Sequence, residues 1–229
     1  MNTKKQVIIG SGFLAKKFMK YSKFIKNKNV IIYAAGISNS LEKNNRKLKK
    51  EINRFNNFIK LRQKKIVFIS TCSVNDPSRR RNKYIKNKIL IEKIIKKKFS
   101  NYLIIRLPEI VGFNENPHTL ANFFYNKIIN NKIFYLFKNT KRNLIDVEDA
   151  LECCTKIINQ KKKDKEIINL LNKTFYTPEK IAKTFEKILN KKINYKIKLI
   201  KKSNWTNKNN YYFKTDKKYL ENILSKYYI

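Results

Sequence analysis

Histidine occurs once, as His118, and cysteine three times, as Cys72, Cys153 and Cys154, with no Cys-x-x-Cys spacing. That scarcity removes the ligands of a zinc cluster and the base of a histidine-centred triad, so no metal site is expected and any chemistry must run on other groups. The odd, sparse cysteine count fits a reducing cytoplasm better than a disulfide framework. No apolar run approaches the roughly 20 residues of a membrane helix, and no membrane partner is expected. The opening MNTKKQVIIGSGFLAKKF breaks its short apolar run with glycines and follows it with lysines rather than a cleavage site, so it reads as no signal peptide. Acids are scarce as well: 16 Asp and Glu face 54 Lys and Arg, a formal charge of +38. Such a balance suits a phosphate-rich partner. The lysines, however, run through the whole chain instead of forming one stripe, and Lys, Asn, Ile, Tyr and Phe are inflated together, as AT-rich coding sequence would do. The charge is therefore read as composition and no nucleic-acid partner is expected, with charge-driven binding left open as a minor alternative.

What is present is a rhythm. In 229 residues with 42% hydrophobic content there is enough apolar material for one domain, or for one domain with a small appended lobe. QVIIG precedes a helix-like FLAKKFMKYSKF, NVIIYAAG precedes LEKNNRKLKKEINRFNNFIKL, KKIVFIST precedes KYIKNKILIEKIIKKK, and NYLIIRLP ends the series. Alternating β and α segments imply an α/β fold, a parallel sheet covered by helices. The strands are continuously apolar, as strands buried on both faces should be. In the third helix the apolar positions Ile85, Ile89, Leu90 and Ile94 mark the packed side. Beyond Pro108 the pattern changes: NPHTLANFFYNKIINN reads as a helix, RNLIDVEDALECCTKIINQ as a short strand turning into a helix, and YTPEKIAKTFEKILN as a helix with Thr177 as N-cap. After these come a strand-like INYKIKLI, a polar link KKSNWTNKNN and a last helix capped by Asp216, while NQKKKDKE is a solvated connection. A core is placed at 1–112 and a lobe mainly at 113–229, with 143–170 returning to the core; the residues below imply a dinucleotide-binding role for the first and a substrate-binding role for the second.

Glycine is used only 4 times, and two of those uses are Gly10 and Gly12 in VIIGSGFLA. With Ala15 they form G-x-G-x-x-A after a strand and opening a helix, which permits a tight turn and close approach of a pyrophosphate to the helix N-terminus. A ligand-free strand-to-helix turn needs the same residues.

Six blocks in order, IIGSGFLAKKF, IIYAAGISNS, IVFISTCSV, YIKNK, LIIRLPEIVG and RNLIDVEDA, resemble the extended short-chain dehydrogenase/reductases, the NAD-dependent epimerase and dehydratase family, over nearly the whole chain. The resemblance implies a Rossmann-like sheet with helices on both faces, a small C-terminal substrate lobe, and NAD or NADP as cofactor. It implies that Gly10, Ser11, Gly12, Phe13, Leu14 and Ala15 hold the cofactor together with Ala34, Ala35, Gly36, Lys88 and Pro108. Thr71, Tyr84 and Lys88 become the catalytic residues, Ser73 and Arg142 substrate contacts, and Asp146 and Asp149 follow the arginine. The partner is then a nucleotide-sugar substrate, and a homodimer is left open.

The residues support this physically. Positions four apart lie on one helical face, so Lys88 can hold its ammonium near the Tyr84 phenol and lower a pKa that is about 10 when unperturbed. Tyr84 then trades a proton with a substrate oxygen, and Thr71 supplies a second hydrogen bond to it. Arg142 has the planar fork that suits a diphosphate. His118 reads as a loop residue and Cys72 as small buried packing.

The sequence also departs from the family. Between Ala15 and YAAG there are too few residues for the usual second and third strands, one of which carries the group that reads the adenosine ribose. A reduced sheet is expected, with NAD against NADP unresolved. The expected function is an NAD(P)-dependent reductase or epimerase acting on a nucleotide-activated sugar in surface polysaccharide synthesis. A binding protein of the same fold without turnover is the alternative.

Overall fold

The computed structural model describes residues 7–27, 29–59, 65–79, 81–160, 165–200, 209–213 and 215–229. Strand β1 (Val7–Ile9) leads into α1 (Phe13–Tyr21), β2 (Val30–Tyr33) into α2 (Asn45–Ile59), and β3 (Lys65–Thr71) into α3 (Lys83–Lys98), followed by β4 (Tyr102–Leu107). The second half runs β5 (Glu109–Val111), α4 (Leu120–Ile129), β6 (Phe134–Lys138), β7 (Leu144–Asp146), α5 (Val147–Gln160), β8 (Glu166–Asn172), α6 (Pro178–Leu189), β9 (Tyr195–Leu199), β10 (Asn210–Phe213) and α7 (Tyr219–Tyr228). Six strands form one sheet in the order β1-β2-β3-β4-β8-β10, every neighbouring pair parallel. This is the Rossmann-like sheet of reduced strand number. Two parallel pairs, β5 with β7 and β6 with β9, lie outside it.

Side chains alternate cleanly between the two faces, as the pleat requires. Val30, Ile32, Val67, Ile69, Leu103 and Ile105 enter one core with Phe18 of α1 and with α5. Tyr33, Ile66, Phe68 and Ile104 enter the other with Phe55 of α2 and Ile91 and Ile95 of α3. Both faces are therefore dry, which explains the unbroken apolar runs. A third core joins α4, α6, α7 and β6 in the C-terminal lobe.

The handedness of the connections carries information. Steps from β1 to β2, β2 to β3 and β3 to β4 all go the same way across the sheet, yet α1 lies on one face and α2 and α3 on the other. The β1-α1-β2 unit is thus of opposite hand to the two units that follow it, a breach of a rule that holds in about 98% of such crossovers. Helix α1 sits where it belongs if strands once lay between it and β2.

Some local expectations change. Leu90 is 45% exposed, and the buried stripe of α3 is Ile85, Ile91 and Ile95. Thr177 caps α6 as expected, its hydroxyl accepting from Lys180 N. The N-cap of α7 is Lys218 rather than Asp216, whose carboxylate accepts from Lys218 N at 2.7 Å and braces the preceding turn. Asn210, read as the end of a polar link, begins β10, which is held in the sheet by β8; residues 201–208 of that link and 161–164 of the solvated connection lie outside the described residues.

Candidate active site

Parallel strands deliver their carboxyl ends to one edge of the sheet, where ligands of such sheets bind. That edge gathers Gly10 after β1, Ala34 after β2, Thr71 at the end of β3 and Pro108 after β4. Gly10 has φ +139°, and a Cβ there would stand 2.9 Å from Ala34 O and 2.9 Å from Ala15 Cβ, so only glycine lets the turn close against β2. Gly12, the N-cap of α1, is different: an added Cβ meets nothing within 4 Å. The first turn of α1 carries no acid and Gly12 offers no side-chain cap, so no side chain at this end caps the first N–H groups of the helix. A pyrophosphate fits this end of the helix. Phe13 and Leu14 instead pack their side chains against the first core; a Cβ on Gly112 would lie 2.7 Å from Phe13 Cζ.

Thr71 pairs with Leu107 in the ladder, and its hydroxyl accepts from Ser73 N at 3.2 Å, turning the chain into a 3₁₀ turn over Cys72–Asn75. Helix α3 packs against that turn. Asn82 caps α3 by accepting from Ile85 N at 3.1 Å and donates to Ser40 O at 2.9 Å, tying the helix start to the loop after β2. Tyr84 therefore sits in the first turn, partly buried, with Lys88 one turn deeper.

Lys88 is not a free cation. Its ammonium lies 2.9 Å from Glu51 Oε1, while Asn87 Nδ2 donates to Glu51 Oε2 at 2.8 Å. Glu51 and Lys88 are 5% and 4% exposed. The same ammonium stands 5.6 Å from the Tyr84 ring centre and 5.8 Å from that of Phe68. Gly36, at φ +131°, covers the pair, for a Cβ there would come within 2.8 Å of Lys88 Nζ and closer still to Glu51. The expectation of a lowered Tyr84 pKa is corrected in this state. Burial raises it above the ordinary 10, Lys88 pulls it down, Glu51 pushes it up and Arg79 pulls it down, with a net rise.

Arg142 is fixed through its backbone, which exchanges hydrogen bonds of 2.7 and 2.8 Å with Tyr176. Its side chain is 13% exposed, its buried Nε has no hydrogen-bond partner among the described residues, and Glu109 Oε1 lies 3.9 Å from Nη1. Burial and the nearby charge of Arg79 both draw its pKa down. A guanidinium this dry and this poorly paired is costly unless an anion completes it. Arg79 donates to Ser73 Oγ at 3.3 Å and faces Asp76 at 3.6 Å.

The 3₁₀ turn is anchored from below. Arg106 binds Glu92 through both oxygens at 3.0 and 2.6 Å and donates to Asn75 Oδ1 at 2.9 Å, and Ser70 Oγ donates to Glu92 at 2.7 Å. Cys72 is fully buried, its Sγ 3.1 Å from Arg106 O, with burial raising its thiol well above the ordinary range. It packs, as its small apolar character suggested. His118 is exposed in a turn, and among the described residues no group of three His, Cys, Asp or Glu could hold a metal.

Sequence reasoning passed over Glu51, Asn87 and Arg79. Glu51 was findable: it is the one acid in α2, and it falls between Leu48 and Phe55 on that helix's buried stripe.

With the geometry in place, the comparisons agree. The model of the NAD dependent epimerase/dehydratase family matches residues 20–170, and the chain belongs to that family. The match begins past the Gly10–Ala15 turn, so the case for that turn rests on its geometry. NAD or NADP is the family's cofactor. RMD from Pseudomonas aeruginosa, solved with NADPH, superposes with a TM-score of 0.71 at 13% identity, over 99% of this chain and 99% of that one. The dTDP-4-dehydrorhamnose reductase of Bacillus anthracis, with NADP, gives 0.70 at 16% identity over 98% and 99%. UDP-glucuronic acid 4-epimerase of Bacillus cereus, with NAD, gives 0.65 at 15% identity over 97% and 86%. No curated protein matches the sequence. Among the described residues no helix is long and apolar enough to cross a membrane.

Proposed function

We propose that the chain is an NAD(P)-dependent reductase or epimerase acting on a nucleotide-activated sugar, with a place in surface polysaccharide synthesis. The observation that supports this is that Tyr84 and Lys88 stand one turn apart on α3, which packs against the turn following Thr71 at the carboxyl end of β3, in a chain that also holds a buried Arg142 whose Nε lacks a partner among the described residues. The nicotinamide supplies or accepts hydride when bound. Tyr84 Oη gives a proton to, or takes one from, the substrate oxygen at the reacting carbon. Thr71 Oγ1, already accepting from Ser73 N, still has its hydroxyl proton to offer that oxygen. Lys88 provides the positive charge that favours the phenolate as proton transfer proceeds. Ser73 contacts the sugar, and Arg142 takes the diphosphate that its dry guanidinium lacks. Sugar nucleotides in the names of the similar structures support the substrate class.

The direct experiment incubates purified protein and NADH or NADPH with a panel of nucleotide hexoses and 4-keto sugars, following absorbance at the nicotinamide band and the sugar products. Turnover of any one establishes the reading. Cofactor binding without turnover across the panel favours the second reading, a binding protein of this fold, to which the neutralised Lys88 lends weight.

A further inference from the structure

Resting on that function, we propose that this chain holds its dinucleotide by the nicotinamide-mononucleotide half alone and leaves the adenosine half in solvent. A doubly wound sheet has two halves, and a dinucleotide straddles the point between them; the acid that reads the adenosine ribose stands on the half beyond the first strand. Here β1 is the edge of the sheet, and among the described residues no strand pairs with its outer side. All three residues of β1 are only partly buried, against four fully buried in β2. The reversed hand of β1-α1-β2 says where the loss occurred, between α1 and β2. The segment joining them, with its 3₁₀ turn Ser22–Phe24, runs from the end of α1 to the start of β2, at the opposite end of the sheet from Gly10. The other half-site is complete: Ala34 to Gly36, Thr71, Tyr84, Lys88 and Pro108 all come from β2, β3, β4 and the helix between the last two.

Two consequences follow for binding. Reduced nicotinamide mononucleotide keeps the nicotinamide, its ribose and one phosphate for the N-terminus of α1, and lacks only the second phosphate and the adenosine. On this reading a 2′-phosphate on the adenosine finds no dedicated partner among the described residues, so any preference for NADPH over NADH comes from the general excess of +38 and is screened by salt.

The test titrates the full chain with reduced nicotinamide mononucleotide, NADH and NADPH, reading nicotinamide fluorescence and heat, at low salt and at about 0.5 M NaCl, where the Debye length is only a few ångströms. The mononucleotide is expected to bind within roughly tenfold of NADH, a difference of about 1.4 kcal/mol at most. NADPH and NADH are expected within about threefold of each other at high salt, and Gly12→Leu should weaken all three alike. A larger loss for the mononucleotide, or a larger NADPH to NADH ratio surviving high salt, overturns the proposal. If none of the three binds, the functional reading falls with it; if NADH binds and the mononucleotide does not, only this proposal falls.

Discussion

Lys88 and Glu51 face each other at 2.9 Å in the interior, one from α3 and one from α2, with Gly36 closed over them. A buried pair contributes little net stability as a pair, but breaking it strands a charge at a cost of about 3–5 kcal/mol. Lys88→Met should therefore destabilise the fold by that amount in urea unfolding, besides weakening cofactor binding and turnover. Glu51→Leu combined with Lys88→Met should restore most of the stability and none of the turnover. A single Lys88→Met variant as stable as the wild type would mean the pair is not closed in solution.

Tyr84 makes the contrasting case. Its ring packs near Lys88, while the family role needs only its hydroxyl. Tyr84→Phe should leave melting temperature and cofactor affinity nearly unchanged and remove most turnover, a drop in kcat at constant Kd. Undiminished activity in this variant would sink the proton-transfer assignment.

Burial of phenols predicts an alkaline limit. Tyr33 is fully buried, its Oη has no partner among the described residues, and burial, helped by Glu51, pushes its pKa up to about 12. The unfolded chain loses that proton near pH 10. Between those values the folded state binds more protons than the unfolded one, so stability is whole below about pH 10 and falls above it, by up to about 1.4 kcal/mol per pH unit for this group. Melting temperatures at pH 8, 10 and 11 should show the fall, and Tyr33→Phe should lessen it by one group's share, the other phenols that burial raises, such as Tyr227 and Tyr228, keeping the rest, while costing nothing at pH 8. Parallel losses in the two proteins would remove Tyr33 as the cause.

The sequence made the centre of the sheet legible because β2, β3 and β4 are buried on both faces, and VIIY, IVFI and YLII announce that without any partner being known. Gly10 and Gly12 were legible through their scarcity, and Tyr84 with Lys88 through helical spacing. Glu51 could be placed on the buried stripe of α2 from its spacing with Leu48 and Phe55, but its pairing with Lys88 was hidden, because only tertiary packing brings α2 and α3 face to face. The direction of the Tyr84 shift failed for a related reason: spacing within α3 reveals the lysine, while the burial that chiefly raises the phenol, and the Glu51 carboxylate 37 residues from Lys88 that adds to it, come from tertiary packing. Strand β10 was hidden because its partner is β8, a pairing that no local pattern in Asn210–Phe213 encodes.

The type of reaction is open to a decisive test at Cys72 and Ser73. Loss of water from a nucleotide sugar needs one group to protonate the departing hydroxyl and another to remove the neighbouring proton, and the two positions directly after Thr71 are where such a pair would stand if the resemblance extended to dehydration. Here Cys72 is wholly buried, its sulfur aimed at the carbonyl of Arg106 and its thiol pushed well up by burial. Ser73 barely ionises, and its hydroxyl already accepts from Arg79. Neither can serve as acid and base for loss of water near neutral pH. Proton exchange at one oxygen with hydride transfer asks only for Thr71, Tyr84 and Lys88. Ketone reduction, alcohol oxidation or epimerisation through a transient ketone is therefore expected, with no 4,6-dehydration. Incubation with common nucleotide hexoses, analysed for the 4-keto-6-deoxy product, decides the point: accumulation of that product without an added dehydratase would show that the turn after Thr71 supplies acid and base by a route its buried thiol and bonded hydroxyl do not suggest.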